Sequence, residues 1–142
     1  MGAGGGQWAA QLKSLGCDIL AYDNAKAIAP GGNGPTASHV QVGDVAILGS
    51  SACNSRTLFL CYPPPADEKV GCMSSQCLLT FKGDTFVYVG EGKGGANASW
   101  AFFDIVEEEW ECTKVLTLDP FPQCYEHLFV FKRRALGTHG KK

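Results

Sequence analysis

No apolar run in this 142-residue chain approaches the ~20 residues that a bilayer-spanning helix requires, so no membrane segment is expected. Charge is scarce at 18%, and the net charge is −2, which excludes a broad electrostatic grip on nucleic acid or anionic lipid. The basic cluster Lys132-Arg133-Arg134 and the end Lys141-Lys142 read as solvated positions. There is no C-x-x-C pair among the seven cysteines, and an odd number scattered through apolar segments reads as reduced thiols. Cys17, Cys61, Cys77 and Cys112 are expected in the core, as small hydrophobes. The spacing of Cys72, Cys77 and the histidines fits no common zinc knuckle, so no metal site is predicted. The opening residues lack the basic-then-apolar pattern of a signal or transit peptide. The expected location is therefore intracellular, in cytoplasm or an organellar matrix, where the Asn97-Ala98-Ser99 glycosylation triplet is fortuitous.

What is present is an alternation of strand and helix. The length suits one domain, with residues 1–134 as the domain and 135–142 as a basic tail. A glycine-rich loop, Gly2 to Gly6, precedes a helix from Gln7 to Leu15 with Trp8, Leu12 and Leu15 on one side. Gly16 stops it. Strands are expected at Asp18 to Tyr22, Val40 to Val42, Thr57 to Cys61 and Thr85 to Val89. The run Thr57-Leu-Phe-Leu-Cys61 is apolar enough to be buried on both faces. Helices are expected at Val45 to Cys53, Met73 to Phe81 and Ala98 to Trp110, the last with Asn97 as its N-cap and Phe102, Phe103, Val106 and Trp110 inward. Residues 30–38 form a loop rich in glycine and proline.

Two final strands, Cys112 to Leu118 and His127 to Phe131, are separated by only eight residues, too few for a crossover helix, so they pair antiparallel. Strands joined by helices otherwise imply a parallel sheet covered on both faces. The fold class is α/β: a mostly parallel sheet with an antiparallel C-terminal hairpin.

Glycines before a helix let a ligand approach bare backbone at the unpaired N–H groups of a helix N-terminus. Asp23 follows the next strand, 17 positions after Gly6, where a carboxylate in a doubly wound fold accepts hydrogen bonds from ribose hydroxyls. Taken singly, the glycines read equally as a flexible terminus and Asp23 as a turn residue. Their order gives them meaning. Gly2-x-Gly4-x-Gly6, Asp23, Gly43-Asp44 and Tyr62-Pro63-Pro64 together resemble the landmarks of Rossmann-like S-adenosylmethionine-dependent methyltransferases. The resemblance spans roughly residues 2 to 133 and includes the terminal hairpin.

It implies a three-layer αβα domain using S-adenosylmethionine. Gly2, Gly4 and Gly6 would lie against the methionine part of the cofactor, Asp23 on the ribose and Asp44 near the adenine amino group. Tyr62, Pro63 and Pro64 would line the site of methyl transfer to a small-molecule or unidentified acceptor. In amino-methylating relatives an acid or amide and an aromatic flank the two prolines; here Tyr62 and Pro65 stand in those places. Glu91, beside Gly92 to Gly95, is a lesser pocket candidate and reads more readily as a plain strand-to-helix turn residue. Glu107, Glu108, Glu109 and Glu111 read as a solvated helix face, and His39 and His127 as strand-boundary residues.

In the fold so implied, a first strand precedes the glycine loop and lies mid-sheet, and here only Met1 stands before Gly2. Residues Asp18 to Tyr22 and Thr57 to Cys61 are therefore expected to flank a gap. Three explanations stand open: the strand belongs to a longer chain, a partner chain supplies it, or the domain has rearranged without cofactor. A catalytically inactive methyltransferase-like subunit is the alternative function. A nicotinamide-dependent oxidoreductase is a third, resting on Gly4-x-Gly6-x-x-Ala9, a weak match by itself.

Overall fold

The computed structural model describes residues 1–24, 40–65, 71–119 and 122–135. The loop 30–38, His39 and nearly all of the basic tail lie outside the described residues. Helix α1 spans Gln7–Ser14 and starts at Gly6, whose φ of 76° only glycine adopts without strain. It closes in a Schellman turn: Gly16 N–H donates to the Lys13 carbonyl and Cys17 N–H to that of Leu12, both at 3.0 Å.

Strand β1 (Ala21–Asp23) pairs in parallel with β2 (Val40–Val42). The other sheet contains β3 (Leu58–Cys61), β4 (Thr85–Gly90), β5 (Trp110–Thr117) and β6 (His127–Arg133) in the order β3-β4-β6-β5. β3 and β4 are parallel, whereas β6 runs antiparallel to both β4 and β5. The molecule is thus α/β with parallel and antiparallel strands, and the terminal antiparallel pair is present as expected. Helices α2 (Met73–Thr80) and α3 (Trp100–Glu109) connect strands in the larger sheet. Among the described residues no helix is long and apolar enough to cross a membrane.

Tertiary packing changes several local expectations. The segment after Asp44 forms a 3-10 turn at Val45–Gly49 and not an α-helix to Cys53. Asp44 caps it by accepting from Ala46 N–H at 2.9 Å, and Gly49 with β-branched neighbours gives little reason to continue. Ser99, not Asn97, caps α3, accepting from Phe102 N–H at 3.2 Å. Asn97 instead accepts from Glu91 N–H. β1 starts three residues later than expected, at Ala21, because the β2 ladder is only three residues long.

Burial also departs from the pattern. Cys17 and Cys112 are exposed, while Cys77 and Cys53 are buried. In α1 it is Ala9 that is buried, whereas Trp8 and Leu15 are exposed. β3 buries Leu58 and Leu60 but leaves Phe59 and Cys61 half-buried.

The core is centred on Phe86, which is 0% exposed. Its ring lies 4.6 Å from Phe131, 4.7 Å from Trp110 and 6.2 Å from Phe102. Phe102, Phe103, Val106 and Trp110 face inward as their spacing predicts. Arg133 seals one end of this core. Its guanidinium lies 4.1 Å over the Trp110 ring, and it donates to the Phe81 and Gly83 carbonyls and to Glu109. One side chain therefore ties α2, the turn before β4, the end of α3 and β6 together.

β1 and β3 do not pair with each other. A cavity of about 710 Å³ lies between them, lined by residues 18–22 on one side and by Thr57, Leu58, Phe59 and Cys61 on the other. These are the two segments expected to flank a gap. Arg56 reaches from one to the other, donating to the Asp18 carbonyl at 3.1 Å and to its carboxylate at 2.7 Å.

Candidate functional site

The C-terminal ends of β1 and β3 meet at a second, smaller cavity of about 210 Å³. Gly2, Asp23, Tyr62, Pro63 and Pro64 all line it, with Met1, Asn24, Leu60, Cys61 and Met73. Five positions singled out by sequence order thus share one space, although Asp23 and Tyr62 are 39 residues apart in the chain.

The glycine turn and the acid are joined directly. Gly4 N–H donates to Asp23 Oδ2 at 2.6 Å, and Asn24 N–H donates to Oδ1 at 2.7 Å. Gly2, Gly4 and Gly6 have φ values of 69°, 53° and 76°, a left-handed path that side chains disfavour. A Cβ added at Gly2 would also stand 3.2 Å from the Met73 side chain. An ionised carboxylate has about four acceptor positions, so Asp23 retains two after these bonds. That capacity suits a vicinal diol, which presents two O–H donors.

Tyr62 leaves β3 with φ 48°, its N–H donating to the Val89 carbonyl at 2.8 Å. This bond holds the strand exit while the side chain swings out, 45% exposed. Burial, followed by the charge of Glu126, raises its phenol pKa. The phenol is therefore neutral near pH 7 and both donates and accepts. The Pro63 carbonyl accepts from Ala98 N–H at 3.0 Å, which ties the proline exit to the turn before α3. Cys61, at the same edge, is pushed up to about 11 by burial and stays a thiol.

Gly6 supports the site from the start of α1. Asp44 does not line the cavity; its carboxylate is engaged in the local cap on Ala46. Glu91 acts as a latch, accepting from Ala96 N–H at 2.7 Å and Tyr125 N–H at 3.2 Å. Glu107 and Glu109 pair with Lys93 and Arg133, and His127 Nδ1 lies 3.0 Å from the Tyr125 carbonyl. Among the described residues no group of three or more ligating side chains could hold a metal ion.

Sequence reasoning missed Met1, Leu60 and Met73 as wall elements. Met73 belongs to the apolar stripe of α2, and nothing in its spacing distinguishes a cavity wall from core. No protein-family model, curated protein or solved structure matches the chain.

Proposed function

We propose that this chain is a Rossmann-like methyltransferase domain that holds S-adenosylmethionine at the C-terminal edge of its strands and presents the methyl group to an acceptor. One observation carries this reading: Gly2, Asp23 and the Tyr62-Pro63-Pro64 exit converge on a single cavity. In open α/β sheets ligands bind outside the carboxyl ends of the strands, where the order reverses. The order β2-β1 and, across the large cavity, β3-β4-β6-β5 supports a three-layer αβα arrangement.

The residues present fit the polar part of the cofactor. Asp23 would receive the ribose hydroxyls on its two remaining acceptor positions, and the turn through Gly2, Gly4 and Gly6 would lie against the methionine moiety. When bound, the cofactor supplies an electrophilic methyl on a sulfonium centre. The protein then needs only to align the acceptor and exclude water. Tyr62 would orient it through a neutral hydroxyl, and Pro63 and Pro64 would form a dry wall. The acceptor is a small molecule or an unidentified macromolecular group.

The size of the cavity favours a second reading, a catalytically inactive methyltransferase-like subunit. At about 210 Å³ it is below the ~300–1,000 Å³ usual for small-molecule sites. Calorimetric titration with S-adenosylhomocysteine, and separately with NAD, tests both readings. Binding of the former alone, weakened by about 1–3 kcal/mol in Asp23→Ala, is the result expected of a methyltransferase. Absence of binding would leave the inactive subunit, and binding of NAD alone would overturn both.

A further inference from the structure

Beside the small cavity, the same edge of the sheet carries a carboxylate that the fold leaves unsatisfied. Glu126 immediately precedes β6 and is only 9% exposed. Its Oε2 is shielded from solvent and has no hydrogen-bond partner within the protein. Among the described residues no ion pair reaches it: Lys93 is held by Asp104 and Glu107, and Arg133 by Glu109. Buried carboxylates are ordinarily paired or hydrogen-bonded, because taking an isolated charge out of water is strongly unfavourable. The orphaned oxygen therefore points to a donor that the chain itself does not supply.

The strand ladders show where this carboxylate lies. Cys61 is level with Val89 in the parallel pair, and Gly90 with His127 in the antiparallel pair. One step further, Tyr62 leaves β3 beside Gly90, and Glu91 and Glu126 leave β4 and β6 side by side. Like charges at facing positions of neighbouring strands repel, so two carboxylates here need compensation. Glu91 has it, since Ala96 N–H and Tyr125 N–H donate to its two oxygens at 2.7 and 3.2 Å. Glu126 does not. Burial, followed by the charge of Glu126, raises the pKa of both the Tyr62 phenol and the Cys124 thiol. Tyr62 thus borders Glu126 as well as the small cavity that it lines. The backbone is strained around the same place. Tyr62, Ala98 and Gln123, with φ of 48°, 59° and 68°, are the non-glycine residues of positive φ among the described residues, and all three lie in loops at this edge. Such conformations persist where the surrounding structure fixes them, and they gather at ligand sites.

The chemistry of the site selects its ligand. Among the described residues no group of three or more ligating side chains could hold a metal ion. A single free oxygen suits a point charge better than a guanidinium fork, which needs two acceptors. A neutral hydroxyl would donate to that oxygen but leave the charge uncompensated. The neighbouring rings of Tyr62 and Tyr125, 45% and 72% exposed, offer π faces that attract a cation.

We propose that Glu126 anchors a binding site for an alkylammonium group, which enters beside Tyr62 and donates to the free Oε2. The ring of Tyr62 turns aside as the group enters and then covers it. The naming of that ligand as the methyl acceptor, an amine, rests on the methyl-transfer reading; the binding itself needs no cofactor. Glu126 is then a specificity-determining residue that the fold keeps at the expense of its own stability.

The full chain, without cofactor, is titrated with benzylammonium, benzyl alcohol and benzoate, which share a ring and differ in head group. Amide shifts are read at Tyr62, Glu126 and His127. Benzylammonium alone is expected to give saturable shifts. Its affinity should fall about tenfold or more in Glu126→Gln and stay unchanged in Glu107→Gln, whose carboxylate pairs with Lys93. Thermal melts without ligand give a second readout. Glu126→Met should raise the melting temperature by removing a buried unpaired charge, whereas a merely structural carboxylate would lower it. Equal shifts from benzyl alcohol, unchanged affinity in Glu126→Gln or a destabilised Glu126→Met would each overturn the proposal. Binding of S-adenosylhomocysteine with no response to benzylammonium would overturn it and leave the methyl-transfer reading intact. The reverse result would support the ammonium site and detach it from methyl transfer.

Discussion

Replacing Asp23 with alanine removes two acceptors, Oδ2, which steadies the glycine turn through Gly4 N–H, and Oδ1, which accepts from Asn24 N–H. The bond from Asn24 N–H is exposed, and water replaces it at little cost. The bond from Gly4 N–H is half-buried and short at 2.6 Å. Hydrogen bonds to charged groups contribute about 1.5–3 kcal/mol, and partial exposure brings this one to the lower end, about 1–2 kcal/mol. Two backbone bonds also hold the turn, from Ala3 N–H to the Tyr22 carbonyl at 3.1 Å and from Gly6 N–H to the Ala3 carbonyl at 2.9 Å, but three glycines at positive φ regain much backbone freedom when it opens. A loss of that size raises the open population about 5- to 30-fold. Exchange at the Gly4 to Gly6 amides should accelerate by that factor in Asp23→Ala, and by less in Asp23→Asn, which retains one acceptor oxygen. Core amides at Phe86 and Leu60 should not change. Unaltered exchange at Gly4, or an equal acceleration throughout the core, would refute a local role for this carboxylate.

Phe86→Ala should cost about 3–5 kcal/mol in urea unfolding, since the ring is fully buried among Phe102, Trp110 and Phe131. Arg133→Lys should lower the urea midpoint nearly as much as Arg133→Met, because an ammonium cannot reproduce the planar fork that reaches Phe81, Gly83 and Glu109. Burial raises the Cys72 thiol, but hydrogen bonds from Ser74, Ser75 and Ser99 outweigh this and bring it down to about 7. Iodoacetamide should therefore modify Cys72 from about pH 7 upward. Cys61 and Cys77, both pushed up to about 11 by burial, should remain unreactive until much higher pH. For these two the folded state holds its protons more tightly than the unfolded state, so their stabilising contribution is complete below the ordinary thiol value of 9.0 and is lost as pH rises toward 11. Cys61→Ser should flatten that alkaline loss in thermal melts between these limits.

Apolar runs bounded by glycine, proline and aspartate were enough to locate the six strands found among the described residues to within a few residues. The helical stripe of Phe102, Phe103 and Val106 likewise predicted the buried face of α3. The antiparallel final pair followed from connection length alone, because eight residues cannot carry a chain back to the opposite end of a sheet. The order of glycines, acid and prolines also named five residues that share a cavity, since strand ends in such a topology meet at one edge. Burial could not be read in the same way, because it depends on what stands opposite. Trp8 and Leu15 satisfy helical spacing but face the large cavity and solvent. Cys17 and Cys112 sit in apolar surroundings along the chain yet end on the surface. The choice of Ser99 over Asn97 as cap, the withdrawal of Asp44 into a local turn and the convergence of four segments on Arg133 were decided by distances between residues remote in sequence. Local pattern determined which segments became strands and helices, because that depends on each segment's own backbone and side-chain periodicity. Only the tertiary structure decided which side chains were buried and which remote segments Arg133 joins, because that depends on how the segments meet in space.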